Sequence, residues 1–249
     1  MLARLSISLM VFLLMLSASG QGFKEEQLKY GRVKKAYREK AGLVQTLMRV
    51  NELDSSSLHI FIRAFKQEHK FEVWATDSLR ESYVILKEYH ICRVSGTEGP
   101  KRRQGDKQIP EGCYHIDSFN PWSSFHLSLG INYPNASDRI LSDQRHPGGE
   151  IFIHGSCVTI GCIPMTDERI KEIYILAVEA MNNGQEHIPV HIFPCRMEGD
   201  KYAKLIELHT EEEQLISFWN NLEEAYLFFE QNRYLPEFIV DKKGRYCFY

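Results

Sequence analysis

A histidine and a cysteine stand eight positions apart in Ile153-His154-Gly155-Ser156-Cys157-Val158-Thr159-Ile160-Gly161-Cys162-Ile163-Pro164-Met165. The histidine closes a short apolar run, Ile151-Phe152-Ile153, and the cysteine falls just before a helical pattern. A thiolate is the reactive form of cysteine, and a nearby imidazole or helix N-terminus favours it. Gly161 permits a backbone angle closed to other residues and leaves room for a carbonyl group to approach. Backbone N–H groups in such a turn are candidate donors to a tetrahedral oxyanion. The parts of a cysteine acyl-transfer site are therefore present in one short stretch. Three other readings use the same residues. The cysteines are core residues, with His154 satisfied by hydrogen bonds. Alternatively His154, Cys157 and Cys162 ligate zinc, although four ligands are usual and no close fourth is evident. Or Cys157 and Cys162 form a disulfide that closes a small loop in an exported chain.

The elements that must position these residues are legible as patterns. Lys24 to Arg49 is charged, with apolar residues at three- and four-residue intervals, and predicts one or two amphipathic helices. Asp54-Ser55-Ser56-Ser57 reads as a loop. His59–Phe65 and Phe71–Ala75 are short, aromatic and β-branched, and predict a strand pair. Further strands are expected in 83–94, at 113–116, over the alternating 125–129, at 150–153 and at 190–193, the last stopped by Pro194. Asn132-Tyr133-Pro134-Asn135 has turn chemistry. Thr166 is the expected N-cap of a helix running to Asn182, with Asp167 and Glu168 in its first turn and Gly184 beyond its end. Glu211 to Glu230 is a second helical pattern. Strands in the middle and helices early and late, with little βαβ alternation, favour an α+β fold, a β-rich core with flanking helices.

With 30 basic and 33 acidic residues the net charge is −3, which argues against a dedicated nucleic-acid binder. Arg4, the apolar run Ile7 to Leu16 and the small residues Ser17-Ala18-Ser19-Gly20 have the layout of a secretory leader. That run is shorter than the roughly 18–20 apolar residues of a membrane-spanning helix. The expected organisation is a leader over 1–20, a helical segment over 21–57 and one larger domain over 58–249 that holds His154 and Cys162. An exported protein is implied, with no stable membrane insertion once the leader is removed. Of the remaining cysteines, Cys92 and Cys113 read as small buried residues, and Cys195 and Cys247 are a candidate pair. Lys101-Arg102-Arg103 reads as a solvated basic turn rather than a site for anionic groups, and Trp74, Trp122 and Trp219 as core or cleft walls.

The segment resembles the active-site signature of the L,D-transpeptidase (YkuD-type) catalytic domain family, a His-Gly followed by Ser/Thr-x-Gly-Cys. Here these are His154-Gly155 and Thr159-Ile160-Gly161-Cys162. The short spacer is similar to that of the YafK-like murein branch. Leu129-Gly130-Ile131-Asn132-Tyr133-Pro134-Asn135, Phe218 to Leu222 and Lys243 to Tyr246 are similar to that branch too, and Gly105 to Tyr114 resembles the family's Pro-x-Gly-x-Tyr/Phe strand entry, so that the resemblance covers roughly 58–247. Many family members carry arginine two positions after the nucleophile, where this chain has Pro164.

The resemblance implies a β-rich catalytic core that acts on peptidoglycan stem peptides in the periplasm. Cys162 would be the nucleophile, forming a thioester at the third residue of the stem. His154 would be the base, its ring oriented by the carbonyl of Gly155. The N–H groups of Gly161 and Cys162 would hold the oxyanion and Thr159 would support the loop, while Tyr133 and His126 would line the cleft. No metal or organic cofactor is implied. An amine acceptor gives a crosslink or an attached envelope protein, and water gives an L,D-amidase or carboxypeptidase. A catalytically silent wall-binding module is the reading from another class.

Overall fold

The computed structural model describes residues 22–80 and 82–249; the leader expected at 1–20 lies outside them. Helices α1 (Phe23–Gln27) and α2 (Gly31–Val50) come first. Strands β1 (His59–Phe65), β2 (Lys70–Thr76), β3 (Val84–His90), β4 (Gly112–Asn120) and β5 (Ser128–Ile131) follow. Then come α3 (Ala136–Leu141), β6 (Phe152–His154), β7 (Ile163–Pro164), α4 (Asp167–Asn182) and β8 (Pro189–Phe193). Helices α5 (Gly199–Leu208) and α6 (Glu213–Asn232) and a hairpin of β9 (Phe238–Val240) and β10 (Tyr246–Phe248) complete the chain.

Eight strands form one sheet in the order β3-β2-β1-β8-β4-β5-β6-β7. Five of its seven pairings are antiparallel; β1 with β8 and β6 with β7 are parallel. Strand β1 shows why the sheet is covered on both faces. Ile60, Ile62 and Ala64 enter one core with α2 and α4, whereas Phe61, Arg63 and Phe65 face the opposite side, where Phe65 packs with α5 and α6. Helix α4 is the centre of the first layer, and even its Lys171 and Glu172 are buried. They are matched by ions from α2: Lys171 Nζ lies 2.7 Å from Glu39, and Lys40 reaches Glu172 and Glu168 at 3.2 and 2.9 Å. The N-terminal helical segment thus shares a core with the sheet, through Val33, Ala36, Val44 and Met48.

Several local expectations change. The chain at 125–127 is not a strand: β5 begins at Ser128, because His126 takes a left-handed backbone (φ 75°) and turns the chain. Thr166 precedes α4 as expected, but at φ 66° its side chain makes no capping bond. Its N–H is instead held by Ser156 O at 3.1 Å. Asn135 caps α3 in a reciprocal capping box with Asp138. Lys101 and Arg102 are not a solvated pair. Lys101 is buried against Asp106 (2.7 Å), and Arg102 pairs with buried Asp138 (3.0 Å) while lying over the Phe218 ring. Trp74 and Trp219 are core residues, and Trp122 is exposed beside Tyr30.

The cysteine reading needs the larger correction. Cys92 is bonded to Cys157 across a separation of 65 residues, with their Cα atoms 5.5 Å apart. Cys92 is therefore not a simple buried thiol, and Cys157 pairs with neither Cys162 nor a zinc ion. Cys113, Cys162, Cys195 and Cys247 are free; Cys195 is buried and Cys247 exposed. Among the described residues no helix is long and apolar enough to cross a membrane.

Candidate active site

Strand β6 carries His154 and strand β7 follows Cys162 directly. In their parallel register Ile153 lies opposite Ile163, and His154 opposite Pro164. Both isoleucines are fully buried, which fixes the inner face of this edge. Side chains alternate along a strand, so Phe152, His154 and Cys162 share the other face. The backbone confirms the placement: Phe152 N–H donates to Cys162 Sγ at 3.4 Å, and the thiol points to Glu150 O at 3.7 Å. The expected nucleophile and base are thus brought to one edge of the sheet by two short strands.

His154 Nδ1 lies 2.5 Å from Gly155 O. A carbonyl only accepts, so Nδ1 carries the proton and Nε2 keeps its lone pair. Gly155 must be glycine for a steric reason: a Cβ there would meet Phe125 O at 2.6 Å and Asp167 Oδ1 at 2.7 Å. Those atoms are close because Gly155 N–H donates to Leu127 O, and Ser156 N–H to Asp167 Oδ1 at 2.8 Å. The Phe125 ring covers the imidazole, with centroids 4.6 Å apart.

Burial pushes the Cys162 thiol above its ordinary value, against the pull of the Phe152 N–H and the Lys101 ammonium; Glu150 adds to the rise. Burial also holds His154 below the usual imidazole value, opposed by its bond to Gly155. At neutral pH the resting pair is a thiol beside a neutral imidazole. No hydrogen bond joins them among the described residues, because the thiol is turned to Glu150. Such contacts are commonly loose before substrate binds.

The nucleophile turn is shaped by Thr159. Its hydroxyl donates to Cys162 O at 2.7 Å and accepts from Gly161 N–H at 3.1 Å. Thr159 thus bridges the two sides of the turn, and it occupies the Gly161 N–H in the resting state. Gly161 sits at φ 139°, and a Cβ there would lie 3.1 Å from Gln108 O. The loop 101–108 is therefore packed directly on the nucleophile turn.

Residues 59–192, over half of the chain, match the family described as YkuD, L,D-transpeptidase catalytic domain. A relative from Escherichia coli (strain K12), "Putative L,D-transpeptidase YafK", is 35% identical over 194 residues, 75% of this chain and 72% of that protein. The chain belongs to the L,D-transpeptidase (YkuD) catalytic domain family. Among solved structures, the helical cell shape determining protein Pgp2 from Campylobacter jejuni is similar at a TM-score of 0.45 and 17% identity, covering 74% of this chain and 73% of that one. Bd1075 of Bdellovibrio bacteriovorus is similar at 0.41 and 20%, covering 71% and 64%.

Within this L,D-transpeptidase domain the expected site residues divide into three groups. His154, Gly155, Thr159, Gly161 and Cys162 form one site. His126 lies behind Gly155, whose built Cβ would be 3.1 Å from His126 Cβ. Its ring Nε2 is buried without a partner, and burial lowers its pKa. Tyr133 does not present its hydroxyl to a cleft: it is buried and bonded to Lys101 O and Pro147 O at 3.3 and 3.0 Å. Its place is under the loops that flank the nucleophile. Phe125, Glu150, Gln108 and Cys92 escaped the sequence reading, because each reaches the site through tertiary packing and none lies in the motif. The family match runs from β1 into β8, so α1, α2, α5, α6 and the β9–β10 hairpin lie outside it.

Proposed function

We propose that this chain is an exported cysteine acyltransferase of the L,D-transpeptidase type, acting on peptidoglycan stem peptides. The observation that carries the reading is the His154 Nδ1 to Gly155 O bond, on the same sheet edge as Cys162. It fixes the tautomer a general base needs beside a thiol nucleophile. Proton transfer from Cys162 to His154 Nε2 accompanies attack of sulfur on the peptide carbonyl. The oxyanion takes the Cys162 N–H, which has no protein acceptor among the described residues. The C–N bond to the terminal residue then breaks, and the imidazolium returns its proton to the leaving amine. A thioester remains, and an amine acceptor deprotonated by His154 resolves it.

Export and a periplasmic location are supported by the leader pattern of residues 1–20 and by the Cys92–Cys157 disulfide, a bond that persists in oxidising compartments. The deciding experiment incubates mature protein and Cys162→Ala with tetrapeptide muropeptides and reads products by mass. Loss of terminal D-Ala with a new crosslink, absent in the variant, is expected. Cys162-dependent trimming or release without crosslinks assigns the same thioester to an amidase or carboxypeptidase. No adduct and no product from folded protein with several donors would leave a silent wall-binding module.

A further inference from the structure

The stretch that joins the base to the nucleophile contains a cysteine of its own. Cys157 is bonded to Cys92, which lies two residues past the end of β3, on the opposite end strand of the sheet order. Cys92 N–H also donates to Pro164 O at 2.9 Å. The disulfide and a main-chain hydrogen bond therefore converge from one residue onto the two flanks of Cys162. One flank is the turn before it, and the other is the strand after it.

The turn has little else to hold it. Among the described residues the Thr159 hydroxyl bonds only to Cys162 O and Gly161 N–H, both within the turn. Val158 is 49% exposed and Ile160 78%, so neither anchors the segment in the core. Ser156 is tied to Asp167 and Thr166, but it precedes Cys157. Among the described residues, the one other close outward approach from Cys157 to Gly161 is at Gly161, where an added Cβ would lie 3.1 Å from Gln108 O. A five-residue segment free to drift would carry the nucleophile with it, and a misplacement of about 1 Å costs on the order of a hundredfold in rate.

We propose that the Cys92–Cys157 disulfide positions Cys162, so that the activity of the site responds to the redox state of a bond outside the reacting groups. The proposal rests on the reading of Cys162 as the acyl-transfer nucleophile. Cys157 is exposed, so a small dithiol reaches the bond in the folded protein. The dithiol loses two electrons and two protons and closes to a cyclic disulfide. Cys92 and Cys157 gain them as two thiols, and Cys162, already a free thiol, is unchanged. Reoxidation by a small disulfide reverses the exchange.

The test compares wild type with Cys92→Ser/Cys157→Ser, and oxidised with dithiothreitol-reduced wild type. The measurements are kcat and KM on tetrapeptide muropeptides, the pH profile of Cys162 alkylation by iodoacetamide, thiol count by mass, and fold by circular dichroism. Expected are a retained fold, KM within about twofold and kcat lower by about tenfold or more. The alkylation onset should move to lower pH as the turn loosens and the thiol loses its burial. Reoxidised wild type should recover both. Wild-type kcat and an unmoved alkylation profile in the double variant would overturn the proposal. So would global unfolding of the variant or of the reduced protein, which would make the bond a staple of the whole fold. If wild type turns over no stem peptide, the functional reading fails, while the alkylation profile still decides whether the bond positions Cys162.

Discussion

His154 Nδ1 donates to the carbonyl oxygen of Gly155, its own successor in the chain, at 2.5 Å. The candidate base is thereby oriented by main chain rather than by a carboxylate, and among the described residues no negative charge raises its pKa. Burial works in the same direction, depressing His154 and raising Cys162, so the resting pair is uncharged. The pH dependence follows in sign. Activity requires neutral imidazole, so kcat/KM should stay level through neutrality and fall only below about pH 6.5, the ordinary imidazole value. Alkylation of free Cys162 should rise only above about pH 8.5, the ordinary thiol value. An acid limb centred above pH 7, or rapid alkylation at pH 6, would show a preformed thiolate–imidazolium pair instead.

Gly161→Ala tests the packing of the 101–108 loop on the nucleophile turn. The substitution places a Cβ 3.1 Å from Gln108 O in a backbone at φ 139°. Relieving that strain costs about 1–3 kcal/mol. A lowered melting temperature and a fall in kcat larger than any change in KM are expected. Wild-type kinetics would mean that the turn is free to adapt.

Thr159→Val removes the hydroxyl that bridges Gly161 N–H and Cys162 O. The turn loses two hydrogen bonds, worth about 1 kcal/mol each. A drop in kcat of roughly tenfold is expected on that scale, with Thr159→Ser close to wild type. Because Gly161 N–H is released by the change, a gain in kcat would show that Thr159 withholds an oxyanion donor.

The candidate site residues were legible in sequence because motif and fold coincide: His154 and Cys162 are placed by one strand pair and one turn. Strands β1 and β2 and helix α4 were legible for a similar reason, since their periodicity spans enough residues to be read. Strands of two or three residues, such as β7, β9 and β10, carry no period, and α5 begins at a Gly199 with φ 68° that reads as a break. The partner of Cys157 was not legible at all. It is set by where β3 ends in the folded sheet, across 65 residues, and cysteine spacing contains no record of that. Arg102 failed in the same way: a basic turn looks solvated until Asp138 and Phe218 are placed beneath it.

The Arg102–Asp138 pair yields a prediction whose sign depends on pH. Asp138 is buried, accepts from Tyr114, Asn135 and Arg102, and anchors α3, which leads into the loop carrying Glu150. Burial raises its pKa to about 6 even with Arg102 pulling it down. Arg102→Ala leaves a buried carboxylate without its cation, and the pKa rises further. A carboxyl with a raised folded-state pKa binds its proton more tightly in the native than in the unfolded chain. Its cost is therefore absent in acid and grows as pH rises toward the folded value. Breaking a fully buried pair costs about 3–5 kcal/mol, and partial exposure of Arg102 reduces this to about 2 kcal/mol. The variant should melt well below wild type at pH 7.5 and much closer to it at pH 5. A deficit equal at both pH values would assign the loss to the Arg102 stacking on Phe218, which does not titrate.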